Sequence, residues 1–326
     1  MQNIDDKIIS ILKENKDTYV SGEELSRILG ISRAGIWKHI RKIKEHKYGI
    51  TASPHLGYRL TGIPDSMIPA EIKYKLDTSV IGNEIYSYQV LDSTNDTAEK
   101  LAIEGAKEGV VVFAENQQKG RGRQNRKWIS PDKKGIYMSV ILRPALPPSA
   151  VSKITLISSL AVLNAIRRIS SLPVLIKWPN DIIINNKKVC GILTETTAQP
   201  DIVKFIIIGI GINVNTPKEL LPENATSLFE ESGKSINRIS LTREILKELE
   251  KYYFLFKKDG IKTIINEWRD FSATLGNRVK INGLNNVYEG QALAIDEDTG
   301  NLIIREDSGF TRAVSSGDVE ILKKEP

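Results

Sequence analysis

The sequence predicts a multidomain α+β protein: a small helical domain with a hairpin, then a central mixed α/β domain on a largely antiparallel or mixed sheet, then a small all-β domain. Three observations carry this. Apolar residues recur at helical spacing near the start, isoleucine- and valine-rich strand-like runs alternate with longer helical stretches from residue 84 to 271, and short runs separated by turn signals fill the remainder. With 326 residues, 40% of them hydrophobic, the chain has material for two or three cores.

Composition narrows the setting. A single cysteine, Cys190, rules out a disulfide framework or a cysteine-based metal cluster, fits a reducing compartment, and reads as core because it lies inside a strand-like run. The start, with Asp5 and Asp6, is acidic where a signal peptide is basic, and the apolar run from Ile154 to Ile166 is too short to span a bilayer. These features predict a soluble, cytoplasmic protein with no membrane partner. The net charge of +6 is concentrated in two places, residues 32–48 and 115–134, which predicts two anionic partners.

Residues 1 to 65 form the first predicted domain. Ile4, Ile8, Ile11 and Leu12 fall at helical spacing, Ser21 to Glu24 is a capping box for a helix through Leu29, Gly30 turns the chain, and Ser32 caps a third helix lined inside by Ile36, Ile40 and Ile43. Two strands follow between Ile50 and Leu60, around Pro54-His55-Leu56-Gly57. This order is a helix-turn-helix, and the hairpin makes it a winged one. Arg33, Lys38, Arg41, Lys42, Lys44 and Lys47 stand against one acid, Glu45. Charge and motif together point to DNA: Arg33, Trp37 and Lys38 toward base edges, beginning from Ser32, and Arg41, Lys42 and Arg59 toward phosphates. The alternative is a basic face that only covers a neighbouring domain. Gly62-Ile63-Pro64-Asp65 reads as a linker.

The second predicted domain covers 66–274. It opens with a helix from Ala70 to Leu76, a strand from Glu84 to Val90, and a helix through Gly105 preceded by Ser93-Thr94-Asn95, residues that suit an N-cap. Three strand ends then carry polar chemistry. After Gly109 to Ala114 come five cations, two glycines and one aromatic within the ten residues Lys119 to Trp128. Glycine allows close backbone approach, arginine offers planar forks for phosphate or carboxylate, and an indole offers a stacking surface. After Pro173 to Ile176 comes Lys177-Trp178-Pro179-Asn180-Asp181, then a hairpin with an Asn185-Asn186-Lys187-Lys188 tip. A strand beginning near Ile202 ends in Gly209-Ile210-Gly211-Ile212-Asn213. Ile154 to Ser170 reads as a helix buried on a sheet, and Leu241 to Lys258 and Ile261 to Phe271 as helices with polar faces.

Two motifs fail. Gly209-x-Gly211 has Val214 where a dinucleotide fingerprint needs a third glycine, and Leu228 stands where a Walker loop ending in Gly233-Lys234-Ser235 needs its first. His39, His46 and His55 all precede residue 65, so the central domain cannot run a Ser-His-Asp or Cys-His mechanism or build a histidine zinc site. Catalysis there must rest on cations, hydrogen bonds and carboxylates. Residues 275–326, the third domain, hold five strand-like runs: Val279 to Ile281, Tyr288 to Ile295, Leu302 to Ile304, Thr311 to Val314 and Val319 to Leu322. They read as a small β-barrel.

Together the motifs Gly-Arg-Gly-Arg-x-x-Arg-x-Trp at 120–128, Lys-Trp-Pro-Asn-Asp at 177–181, Lys-x-x-Gly-Ile-Leu at 188–193 and Gly-x-Gly-Ile-Asn at 209–213 resemble the biotin protein ligases. With the helix-turn-helix, the chain looks like the bifunctional members that also repress the biotin operon. The resemblance implies an SH3-like final barrel, biotin and ATP with Mg²⁺ as ligands, a biotin carboxyl carrier protein and operator DNA as partners, and a homodimer. It implies formation of biotinyl-5′-AMP and transfer of biotin to a carrier lysine. Arg121, Arg123 and Lys188 would neutralise carboxylate and phosphate, with Lys177 able to do the same. Ser93, Thr94, Asn95, Gln117, Gly122 and Gly191 would join them around biotin, and Trp128, Asn180, Asn213 and Arg126 would meet the nucleotide. Asp181 would place Mg²⁺ or orient Lys188, unless it is a structural ion pair; Trp128 is otherwise a core aromatic. A lipoate-type ligase and a non-catalytic biotin-sensing transcription factor are the alternatives.

Overall fold

A computed structural model of the chain describes residues 4–198, 202–283 and 286–322. They form two compact units, Met1–Ser66 and Met67–Pro326. In the first, α1 (Ile4–Glu14), α2 (Gly22–Leu29) and α3 (Arg33–Glu45) precede the antiparallel hairpin of β1 (Gly49–Ser53) and β2 (Gly57–Gly62). Both caps read from the sequence form: Ser21 Oγ accepts from Glu24 N at 3.0 Å and Ser32 Oγ from Gly35 N at 3.1 Å. Ile8, Leu12, Leu25, Ile36, Ile40 and Ile43 make the core. The hairpin is tied down where Val20 and Tyr58 exchange two backbone bonds of 2.9 and 2.8 Å. A Cβ on Gly57 would stand 2.1 Å from the Val20 oxygen, so only glycine fits that approach.

The second unit begins with α4 (Pro69–Lys73), which is shorter than the sequence suggested because Lys75 and Asp77 adopt left-handed backbone. Then come β3 (Ile85–Leu91), α5 (Thr94–Ile103), β4 (Val111–Gln117), β5 (Gly135–Leu142), α6 (Val151–Ser170), β6 (Leu175–Lys177), β7 (Asp181–Ile184), β8 (Lys187–Ala198), β9 (Val203–Asn213), α7 (Leu228–Ser232), α8 (Arg238–Asp259) and α9 (Lys262–Asp270). The seven strands run in the order β3-β4-β5-β9-β8-β7-β6, with β3 and β4 parallel and every other pair antiparallel. The inner strand β5, buried at all eight positions, has no counterpart in the sequence reading.

Side chains alternate across this sheet, and the two faces are covered differently. One face buries Ile206, Ile208, Ile210 and Ile212 of β9 in the main core with α6, α8 and α9. The other buries Phe205 and Ile207 with Val112, Ile141 and Ala98 and Ala102 of α5. Helix α6, with the turn leading into it, is longer than the apolar run suggested: Pro148–Ser170 spans 23 residues and is long and apolar enough to cross a membrane. It is two-thirds buried in the fold, and Ser159 on it accepts from Trp268 Nε1 at 3.0 Å, which makes it a core helix.

The last strands, β10 (Arg278–Asn282), β11 (Val287–Ile295), β12 (Leu302–Arg305), β13 (Thr311–Val314) and β14 (Asp318–Ile321), form a second sheet in the order β13-β12-β11-β10-β14. Count and order fit the small barrel expected there, with no ladder joining β13 to β14 among the described residues. Its interior residues, including Val279, Ile281, Ala292 and Ile304, continue the main core, so the stretch around Leu275-Gly276 marks a change of sheet within one compact unit.

Candidate functional site

Beyond the end of α5 the second face of the sheet is uncovered, and there the side chains disappear. Odd positions of β9 run Phe205, Ile207, Gly209, Gly211; Gly211 pairs with Gly191 of β8, and Gly209 lies between Leu193 of β8 and Ser139 of β5. These glycines form the floor of a cleft of about 310 Å³. A Cβ at Gly211 would come within 2.6 Å of the Trp128 indole, and one at Gly209 within 2.3 Å of Asn95 Oδ1. Trp128 therefore lies directly on the floor, half-buried, with its Nε1 hydrogen unpartnered among the described residues.

The Ser93-Thr94-Asn95 turn forms one end. Ser93 occupies the N-cap position of α5 without making a cap hydrogen bond, so capping does not account for it. Thr94 donates from N (2.8 Å) and Oγ1 (3.1 Å) to Gln117 Oε1, and Gln117 Nε2 donates to Ser130 Oγ at 3.1 Å. Asn95 Oδ1 accepts from Ser139 Oγ at 2.5 Å and its Nδ2 donates to Glu195 Oε2 at 2.6 Å. Ser139 and Glu195 were not anticipated.

The basic loop is folded over this floor. Gly122 N donates to Arg126 O at 2.7 Å, Trp128 N to Gly120 O at 2.8 Å, and Gln124 and Asn125 turn at its tip with left-handed backbone. Its cations are not equivalent. Arg121 engages all three nitrogens: Nε and Nη2 with Glu195 at 3.0–3.3 Å, and Nη1 with Asp96 at 2.5 Å. Burial pulls its pKa down, but the two carboxylates outweigh this and raise it. Among the described residues Arg123 engages only Nη1, with Asn180 Oδ1 (3.2 Å) and the Gly317 carbonyl (3.0 Å), both neutral. Burial therefore prevails and its pKa is lowered. Arg126 is paired with Asp318. Gly317 precedes and Asp318 begins β14, so the final sheet, to which the sequence assigned no chemistry, reaches the cleft.

Lys188 arrives by a register shift. It would share the core-facing parity of Cys190 and Ile192, but a bulge in the β7–β8 ladder lets it lie against Gly191 on the cleft side. Its Nζ is 2.6 Å from Asp181 Oδ1, a contact of charges without hydrogen-bond alignment, and 5.6 Å from the centre of the Trp128 ring. The hairpin tip is Asn185-Asn186 alone, because Lys187 already belongs to β8. Lys177 lines the cleft with no ion-pair partner among the described residues. Asn180 Nδ2 donates to Ile192 O at 2.9 Å and Asn213 Nδ2 to Thr226 O at 3.1 Å, so both amides also brace the cleft walls. Cys190 is buried, with its thiol pKa pushed up by burial. No cluster of three His, Cys, Asp or Glu able to hold a metal occurs among the described residues.

In the first unit, Arg33, Trp37, Lys38 and Arg41 are exposed along α3, with the Arg41 guanidinium 6.0 Å from the centre of the Trp37 ring. Ser32 is engaged as the cap. Lys42, expected from sequence to meet a phosphate, has its Nζ 2.8 Å from Asp5 Oδ2, and Arg59 lies half-buried over the Tyr19 ring.

Comparison with known proteins agrees with this arrangement. Residues 87–213 match the model of the Biotin/lipoate A/B protein ligase family, residues 6–59 an HTH domain, and residues 274–322 the Biotin protein ligase C terminal domain. The chain is 37% identical over 318 residues to the Bifunctional ligase/repressor BirA of Bacillus subtilis (strain 168), covering 96% of this chain and 97% of that one. It is 29% identical over 321 residues to the protein of the same name from Escherichia coli (strain K12), covering 98% and 97%. The structure of the biotin protein ligase from Aquifex aeolicus in complex with biotin and ATP aligns with a TM-score of 0.64 at 29% identity, over 74% of this chain and all of that one. The chain belongs to the bifunctional ligase/repressor group of the biotin protein ligase family.

Proposed function

We propose that the cleft joins biotin to ATP and passes biotin to a lysine of a biotin carboxyl carrier protein in the cytoplasm, and that the first unit represses the biotin operon by binding its operator as a homodimer. The observation that carries the ligase reading is Arg123: a half-buried guanidinium hydrogen-bonded to neutral partners, with Nε and Nη2 uncommitted among the described residues, at the rim of a glycine floor. Such a group is costly to bury unless an anion completes it. Adenylation needs little more, since a carboxylate is already a nucleophile at neutral pH. Biotin's carboxylate oxygen bonds to the α-phosphorus as pyrophosphate leaves with the bridging electron pair; Arg123, Lys188 and Lys177 offset the charge that two anions bring together. A carrier lysine, after losing its proton, then attacks the acyl carbon and AMP departs.

Thr94, Asn95 and Gln117 supply the polar end of the cleft for biotin, beside Ser93, Gly122 and Gly191; Trp128, Arg126, Asn180 and Asn213 lie toward the nucleotide. Mg²⁺ fits as an ion carried chiefly by phosphate oxygens and water, with Asp181 and Asp318, paired to Lys188 and Arg126, the carboxylates lining the cleft, and would neutralise the triphosphate. Incubating the chain with biotin, Mg-ATP and a carrier domain tests the reading by intact mass. A carrier gaining one biotin supports it; a lipoyl adduct, or no pyrophosphate release, overturns it. DNA binding is tested by footprinting with and without biotinyl-AMP, where a two-fold footprint strengthened by the adenylate is expected.

A further inference from the structure

Glu195 belongs to none of the motifs that mark the cleft, yet its carboxylate bonds both to Asn95 at the cleft's polar end and to Arg121 of the basic loop. Oε2 accepts from Asn95 Nδ2 at 2.6 Å and from Arg121 Nη2 at 3.0 Å, while Oε1 accepts from Arg121 Nε at 3.3 Å and Nη2 at 3.1 Å. On the far side of Asn95, the hydroxyl of fully buried Ser139 donates to Oδ1, which fixes the amide with its NH₂ toward Glu195. Beyond Arg121 stands Asp96. A continuous polar chain thus runs from the middle of β5, through Asn95 and Glu195, to the loop. In such a chain a shift of one member is felt by the next, because each donor and acceptor is shared.

We propose that Glu195 is a positioning residue that couples occupancy of the Asn95 end to closure of the 119–127 loop, with Arg121 as the strut of that loop and Arg123 as its anion ligand. The proposal rests on the biotin reading of the cleft. A ligand that hydrogen-bonds to Asn95 holds its amide more firmly against Glu195, and the bidentate grip on Arg121 carries that restraint to the loop.

Five trypsin sites in the loop, Lys119, Arg121, Arg123, Arg126 and Lys127, report its closure in the full chain. With saturating biotin and no ATP, loop cleavage in the unaltered chain should slow about tenfold, the order of one charge-assisted hydrogen bond. Glu195→Gln keeps an acceptor for Asn95 but offers Arg121 no charge. It should bind biotin within about threefold of the original by calorimetry, yet lose the protection. Glu195→Asp, which keeps the charge, should restore part of it. Full protection in Glu195→Gln overturns the proposal, as does a loss of biotin binding that simply tracks a lowered melting temperature. A chain that binds biotin without slowing cleavage defeats the coupling alone; one that does not bind biotin defeats the ligase reading first.

Discussion

The glycine floor makes a quantitative demand at Gly209. An alanine there would place its Cβ 2.3 Å from Asn95 Oδ1 and 2.9 Å from Asn95 Cγ and Nδ2, whereas ordinary contact begins at 3.4 Å, so Asn95 must retreat by about 1 Å. It has nowhere cheap to go, because Oδ1 is held by Ser139 and Nδ2 by Glu195. Gly209 is not among the left-handed glycines, so the backbone itself accepts alanine and the whole effect is steric. Overpacking of this kind costs about 1–3 kcal/mol, and each broken neutral hydrogen bond about 1 kcal/mol more. In a unit of this size each kcal/mol is worth about 2–4 °C, so a total of about 2–5 kcal/mol should lower the melting temperature of Gly209→Ala by roughly 4–20 °C. Titration calorimetry should show biotin binding weakened at least about tenfold. Gly122→Ala, whose Cβ meets only Arg126 O at 3.7 Å, serves as the stability control and should change stability by less than ~0.5 kcal/mol. Biotin affinity within about twofold and an unchanged melting temperature in Gly209→Ala would refute the account of the floor.

Pyrophosphate release should separate the two arginines. Arg123→Met slows it by about 10²–10³ through loss of the uncommitted donors, while Arg121→Met costs about tenfold at saturating ligands and falls mainly on loop closure; equal losses would contradict the division. The cations of α3 should separate in DNA titrations against salt. Arg41→Gln, at an exposed cation assigned to phosphate, lowers the salt slope by about one, whereas Lys42→Gln, which loses an ion pair to Asp5, weakens the first unit and leaves the slope nearly unchanged. Burial pushes the Asp5 carboxyl up, but hydrogen bonds from Lys42 and His39 outweigh it and hold the pKa below the ordinary value. The stabilisation is therefore complete above the unfolded-state pKa and fades as pH falls through the folded one. Hydrogen exchange of residues 4–62 should show Asp5→Asn about 1 kcal/mol less protected than the original above about pH 5, with the gap closing toward about pH 3; a gap that widens in acid would reverse the sign.

Legibility followed the physics of each element. In the first unit, helix faces, caps and turn residues are local signals, and α1, α2, α3 and the hairpin all follow from them. β5 went unread because Gly135-Ile136-Tyr137-Met138-Ser139-Val140-Ile141-Leu142 is buried on both faces, so it lacks the polar alternation that marks a half-exposed strand. The sequence did not place α4's end, because Lys75 and Asp77 take left-handed backbone for reasons of tertiary context. For α6 the end at Ser170, past Arg167 and Arg168, matches the sequence reading, while the start at Val151 was missed because Lys153 interrupts the uncharged run that begins at Ile154.

The site divides along another line. Residues in loops of unusual composition, Lys119 to Trp128 and Lys177 to Asp181, advertise themselves because nothing structural requires so much charge there. Glu195, Ser139 and the role of Asp318 do not, because each lies in a strand where its type is ordinary; Glu195 stands among threonines as any outward residue would. The floor was nonetheless written in β9: even positions 206 to 212 stay isoleucine while odd positions pass from Phe205 and Ile207 to Gly209 and Gly211. A strand that keeps one face apolar and strips the other has a helix over its first half and an opening over its second. Once that parity is read, Gly191 and Leu193 fall on the open face by register, and Glu195, two residues further along β8, must face the same way beneath the rim. Its carboxylate is then placed within reach of whatever cation the loop lowers onto the floor, and Arg121 is the one that meets it.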